Sequence, residues 1–129
     1  DNKVAGLLGV RVGSPVLLIR RLRFAENVPV SILENWLPEE YTDLAEENFS
    51  THGLYQLLKA RGVTMKVAKQ RIGARKANQA ESELLQVEKG SALLTMERTA
   101  FDSNGKAVEW GHHCYRPDLY SFEITLVEK

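Results

Sequence analysis

The sequence predicts an α+β domain whose central antiparallel sheet is built from two related α-β-β units. Three observations carry that expectation. Residues 13–24, GSPVLLIRRLRF, and residues 90–101, GSALLTMERTAF, are two versions of one phrase: a Gly-Ser turn, an apolar run and an arginine before a phenylalanine. At one fixed offset Leu8 also meets Leu85, Val10 meets Val87, Leu17 meets Leu94 and Arg21 meets Arg98, and one inserted residue later Val30 meets Val108. Each phrase is followed by a turn, AENVP or DSNGK, and a second strand-like run, so each unit closes on a hairpin. Two copies at this spacing are too few and too far apart for a solenoid. Two unrelated hairpins sharing turn chemistry are the alternative, but they do not account for matches that keep register.

Each element follows in order. Val4 to Val10 reads as a short helix end or the entry to a strand. Val16 to Phe24 is a strand, and Val30 to Leu37 is its hairpin partner. Pro38 to Glu47 is polar and reads as a short helix. In GLYQLLKARG, Leu54, Leu57 and Leu58 recur at helical spacing, with Ser50 or Thr51 available as N-cap and Gly62 as the stop. Val63 to Ala74 alternates loosely and reads as a strand. Asn78 caps a helix over AESELLQV, with Ala80, Leu84 and Val87 on one side. Ala92 to Phe101 and Ala107 to Arg116 form the second hairpin, where Asn104-Gly105 both tolerate positive φ. Tyr120, Phe122, Ile124 and Leu126 alternate with polar residues and predict a half-buried final strand.

Composition limits the function classes. The 129 residues suit a single domain spanning 1–129, and 43% hydrophobic with 26% charged residues marks a globular chain able to bury a core. Lys plus Arg equals Asp plus Glu at 17 each, so there is no net positive charge with which to hold nucleic acid. No apolar run approaches a membrane span and no signal peptide is visible. Cys114 is alone, so no internal disulfide can form, which points to a reducing, cytoplasmic setting. The chain begins DNKVAGLL, without Met, which suggests a fragment.

Three places could carry chemistry. Arg21 and Arg23 lie two apart on a strand and share a face, a cradle for phosphate or carboxylate or else a solvated surface. STHGLY opens a helix, where free backbone N–H groups receive anions or are simply capped. In VEWGHHCYRPDLY, Glu109, Gly111, His113 and Tyr115 share one strand face, and Trp110, His112, Cys114 and Arg116 the other. Glutamate with tyrosine suits the hydroxyl or amine groups of a polar ligand. His112 and Cys114 supply two metal-ligand types with no third nearby, so no metal is expected. Nothing implies a cofactor or a catalytic constellation.

Taken together, RRLRFAENVPVSILENWLP, the Leu-Tyr near residue 54, A-x-x-x-L-x-V-x-x-G-S and the closing GKAVEWGHHCYRPDLYSF resemble the UTRA domain, the effector-binding domain of HutC-type regulators in the GntR superfamily. The resemblance covers essentially the whole chain. It implies a chorismate-lyase-like α+β fold, a small-molecule pocket and a homodimer. It also implies an N-terminal winged-helix domain, absent here, through which alone the parent protein would bind operator DNA. In sugar-phosphate-sensing members an R-x-R pair and a Ser-x-Tyr at the helix start hold the ligand, and a late glutamate and tyrosine complete the pocket. By that resemblance Arg21, Arg23, Tyr55, Glu109 and Tyr115 are ligand-binding, with the backbone of Gly53 and Leu54, and with Glu34 and His113 as further candidates. Gly53 stands where those members have serine, which widens the expected effector from a sugar phosphate to a carboxylate or phosphonate. A chorismate-lyase-like enzyme and a dimerisation module with a degenerate pocket are the competing readings. Because Ala100 stands where the first unit has Arg23, the first hairpin alone is expected to meet the anion.

Overall fold

In a computed structural model, residues 2–46 and 53–128 are described. Five strands form one antiparallel sheet in the order β1-β2-β5-β4-β3, where β1 is Val16–Ala25, β2 Val28–Pro38, β3 Met65–Lys76, β4 Ala92–Asp102 and β5 Ala107–Tyr115. The helices are α1 (Asn2–Leu8), α2 (Leu54–Ala60) and α3 (Gln79–Leu85), with a 3-10 segment over Glu39–Glu46. The α+β expectation holds.

The repeat is real in three dimensions. Helices α1 and α3 begin and end at matching positions of the two units, and their terminal leucines, Leu8 and Leu85, are both buried. Gly13 and Gly90 take the same left-handed conformation, with φ of 90° and 88°, which a residue with a Cβ rarely adopts. The strands pair in the same register: Ile19↔Asn35, Arg21↔Leu33 and Arg23↔Ser31 in the first unit become Met96↔His113, Arg98↔Gly111 and Ala100↔Glu109 in the second. The units meet at β2 and β5, where Glu34 pairs with His112. Those two residues are equivalent, so a pseudo-two-fold axis passes between them. The 3-10 segment, α2 and β3 are the insertion joining the copies.

The sheet buries both faces. On the back, α1 sets Val4 and Leu8 against Trp110, and α3 sets Leu85 against Ile32, Leu93 and Cys114. On the front, α2 and the 3-10 segment cover one end, where Leu37, Leu54, Leu58, Tyr41, Leu44 and Ala100 pack together. Each fully buried leucine there contributes about 1.5–3 kcal/mol. The rest of the front face is left open, and polar side chains stand on it.

Five expectations need correction. Residues 120–126 form no strand: Pro117, which has no N–H to donate, sits in a turn held by Leu119 N to Arg116 O. Tyr120 and Phe122 then stack on Tyr115, at 4.3 and 5.8 Å between ring centres, while Ile124 and Leu126 stay exposed. The buried side of α3 is Ser82 and Leu85, not Ala80 and Leu84. Asn78 and Glu81 close a capping box and Glu81 also binds Arg75 of β3, which fixes the rotation of the helix and turns Leu84 outward. The N-cap of α2 is Gly53, without a side-chain bond; Ser50 and Thr51 lie outside the described residues. Pro38 ends β2, and Glu39–Glu46 winds as a 3-10 helix. Finally, the two-residue turn with positive φ at both positions is Glu26-Asn27 of the first hairpin. In the second, only Gly105 has positive φ, and Asp102 Oδ1 accepts from the N–H groups of Asn104 and Lys106.

Candidate functional site

Alternation along the strands selects which side chains stand on the open front face. β1 contributes Arg21 and Arg23, β2 Ser31 and Asn35, β4 Met96 and Arg98, and β5 Glu109, His113 and Tyr115. Gly111 lies among them, between Asn35 and Arg98 in the register. The first turn of α2 (Leu54, Tyr55 and Gln56) and its cap Gly53 roof the space. All of these but Arg23 and Ser31 line a cavity of 330 Å³, within the range of small-molecule sites.

A hydrogen-bond chain runs across the floor. Arg21 Nη2 donates to Asn35 Oδ1 at 3.2 Å, Asn35 Nδ2 donates to Glu109 Oε2 at 2.7 Å, and Tyr55 Oη donates to Glu109 Oε1 at 2.8 Å. Glu109 is 0% exposed. Burial raises its pKa, against the bonds from Asn35 and Tyr55 and the charges of Arg98 and Arg21. Burial likewise raises Tyr55 and, with Arg23 nearby, lowers Arg21. His113 falls to about 4 through burial and then the charge of Arg21, so it is neutral at pH 7. Its Nδ1 meets the Tyr115 hydroxyl at 3.1 Å, and its buried Nε2 has no hydrogen-bond partner among the described residues. Burial pushes the Tyr115 hydroxyl up to about 12, so it stays protonated.

Gly111 makes this arrangement possible. A Cβ there would stand 2.7 Å from Glu109 Oε2, 3.1 Å from Asn35 Nδ2 and 3.3 Å from His113 Nε2. The missing side chain is the space in which three polar groups converge.

Most of the residues singled out from sequence therefore share one site. Arg21, Gly53, Leu54, Tyr55, Glu109, His113 and Tyr115 all line the cavity. Arg23 is on the same face but exposed, one row beyond Arg21 opposite Ser31, where its charge still reaches Arg21 and His113. Glu34 does not join them. Its place in the strand turns it to the back, where it accepts from Arg20 Nε at 2.6 Å and lies 4.0 Å from His112 Nδ1. Cys114 is there too, its Sγ accepting from Arg75 at 3.1 Å, with its pKa raised to about 12 by burial, so it is a thiol and not a nucleophile. Cationic side chains reach the cavity from both hairpins. Arg98 of the second hairpin lines the same cavity, with Asn35, Met96 and Gln56, none of which was singled out. The repeat was the signal for Arg98, since it is the counterpart of Arg21; Asn35 carried no signal beyond its place in the strand.

The UTRA domain model matches residues 1–121. The repressor NagR of Bacillus subtilis is 29% identical over 122 residues, which is 94% of this chain and 50% of that protein. The chain thus spans about half the length of the curated relatives it matches. A solved Streptomyces coelicolor structure described as a transcriptional regulator superposes with a TM-score of 0.94 at 45% identity, covering 100% of this chain and 87% of that one. The effector domain of PhnF from Mycobacterium smegmatis does so at 0.92 and 27%, covering 99% and 80%. A match to the family model over nearly the whole length, on a sheet with this pocket, places the chain in the UTRA family as the effector domain of a GntR-family transcriptional regulator.

Proposed function

We propose that the front-face cavity binds a small anionic metabolite, a sugar phosphate, carboxylate or phosphonate, and that this binding modulates operator binding by a winged-helix domain attached in the parent protein. The charge of the face supports the reading most directly: Arg21, Arg23 and Arg98 stand around a single carboxyl, Glu109, which is already hydrogen-bonded to Asn35 and Tyr55. An anion entering the cavity gains charge-assisted hydrogen bonds that the protein alone does not make. Glu109 and Tyr115 offer partners to hydroxyl or amine groups on the same ligand.

Regulation requires the effector to favour one of two arrangements. Tyr55 is the natural lever, because its bond to Glu109 ties the start of α2 to the sheet. A ligand that takes over Glu109 or the space above Gly111 alters that tie. The chain also acts as a homodimer in this reading. The edge strand β3 leaves eleven of its twelve residues exposed, Val67 and Ile72 among them, and so offers both apolar surface and unpaired backbone to a second copy. Sedimentation equilibrium tests that part, with a monomer at all concentrations as the contrary result.

The effector reading is tested by thermal unfolding against sugar phosphates, phosphonates and carboxylates. At about 100 times its dissociation constant a true effector stabilises the chain by roughly 2.7 kcal/mol. A shift of the same size in a variant lacking both Arg21 and Arg98 would rule the cavity out.

A further inference from the structure

We infer that the effector is two-ended: it carries an anionic group at each end, one held by Arg21 and the other by Arg98. The inference rests on the cavity being the effector site and adds the chemical class of its ligand. Its basis is the pseudo-two-fold axis. Arg21 and Arg98 occupy equivalent positions of the two units, on strands β1 and β4 that flank the central pair β2 and β5. Three strand spacings of about 4.8 Å separate them across the sheet. Both nevertheless line the one cavity, from opposite sides.

Arg98 is not spent on the protein. Its Nε is buried without a hydrogen-bond partner among the described residues, and none of its nitrogens lies in an ion pair there. The guanidinium is instead held over the Tyr55 ring, 5.1 Å from its centre, a contact that orients it and uses none of its N–H groups. Glu109 accepts from Asn35 and Tyr55 and interacts with Arg98 through charge alone, without a hydrogen bond. On the back face Arg20 has Glu34, and Arg75 has Glu81. The front face thus presents two cations on either side of Glu109, neutral His113, Met96 and the gap at Gly111. A ligand whose single anionic end meets Arg21 leaves Arg98 without one.

The test is calorimetric titration of this chain with glutarate, adipate and 3-phosphonopropionate, against butyrate and ethylphosphonate as one-ended counterparts. Two-ended probes should bind at least about tenfold more tightly than their counterparts, the scale of one charge-assisted anchor. R98Q should cost two-ended probes at least about tenfold more affinity than it costs one-ended probes, and R98K, which keeps the charge and loses the fork, should recover part of the preference. Thermal unfolding of each variant establishes that it is folded; if R98Q is not, the comparison of wild type with R98K decides. Equal affinity for the two classes, or an equal loss for both in R98Q, overturns the inference while leaving the sensor reading intact. Absence of binding by either class overturns the sensor reading and this inference with it.

Discussion

The two faces of the sheet carry the same kinds of residue and do opposite things with them. Arg20 and Arg21 are neighbours, as are His112 and His113, and both faces carry strand glutamates, Glu34 and Glu97 behind and Glu109 in front. Behind, the groups neutralise one another: Arg20 pairs with Glu34, His112 lies beside it, and Arg75 grips Glu81 with two bonds of 2.6 and 2.5 Å. That grip and the Asn78 backbone hold Glu81 at about 2, far below an ordinary glutamate. In front, three arginines face one buried carboxyl, and buried nitrogens of Arg98 and His113 lack partners among the described residues. Polar composition alone does not make a binding face. Unmatched polar groups around a space do, because the matching is left for a ligand to complete.

Four changes break or sharpen that contrast. The largest effect belongs to Gly111→Ala. Its Cβ falls 2.7 Å from Oε2 of Glu109, whose carboxyl group is pinned by one hydrogen bond on each oxygen, so the floor must shift. The expected outcome is a loss of anion affinity of roughly 100-fold and of about 2 kcal/mol in stability, read by calorimetry and urea unfolding. Unchanged affinity would mean that ligand does not sit over this strand.

Acid titration comes next. The folded pKa of His113, about 4, lies below its unfolded value, so the unfolded chain binds more protons between pH 6.5 and 4. Its contribution to stability is therefore complete above pH 6.5 and declines as pH falls towards 4, by about 2 kcal/mol. Glu109, whose pKa is raised, acts in the opposite sense. The His113 part is thus read as the difference between wild type and His113→Gln in urea unfolding across that window. Parallel curves would contradict a buried neutral imidazole.

Gly53→Ser should give a smaller effect, and a gain. Gly53 has φ −71° and no atom within 4 Å of a built Cβ, so serine fits without strain. Affinity for phosphorylated probes should rise about fivefold, the worth of one added hydrogen bond, while carboxylates change less. The smallest effect is expected behind the sheet. Arg20→Gln removes an ion pair whose arginine is largely exposed, so stability should change by less than about 1 kcal/mol and anion affinity not measurably. A large affinity loss there would erase the distinction between the faces.

Much of this was legible in the sequence because it rests on periodicity. Strand alternation put Glu109, His113 and Tyr115 together, and the echo of Gly-Ser, Leu and Arg gave the two units in register. What escaped was set by long-range contacts. Glu34 was grouped with the pocket although it is one residue from Asn35, and a step of one residue along a strand changes the face. The alternation of residues 120–126 is as regular as that of any strand, but no strand among the described residues pairs with it, and its aromatic residues serve Tyr115 instead. Arg98 was visible as the partner of Arg21, yet its role depends on both hairpins being folded about one axis.

The central claim is that Arg21 and its neighbours on the front face form the effector site. Its most direct test is calorimetric titration of a hexose 6-phosphate and 3-phosphonopropionate into the wild-type chain and into Arg21→Gln. Measurable binding of at least one probe to the wild type, weakened by roughly 10- to 100-fold in the variant with unfolding unchanged, is the predicted result. Equal binding to both proteins would contradict it.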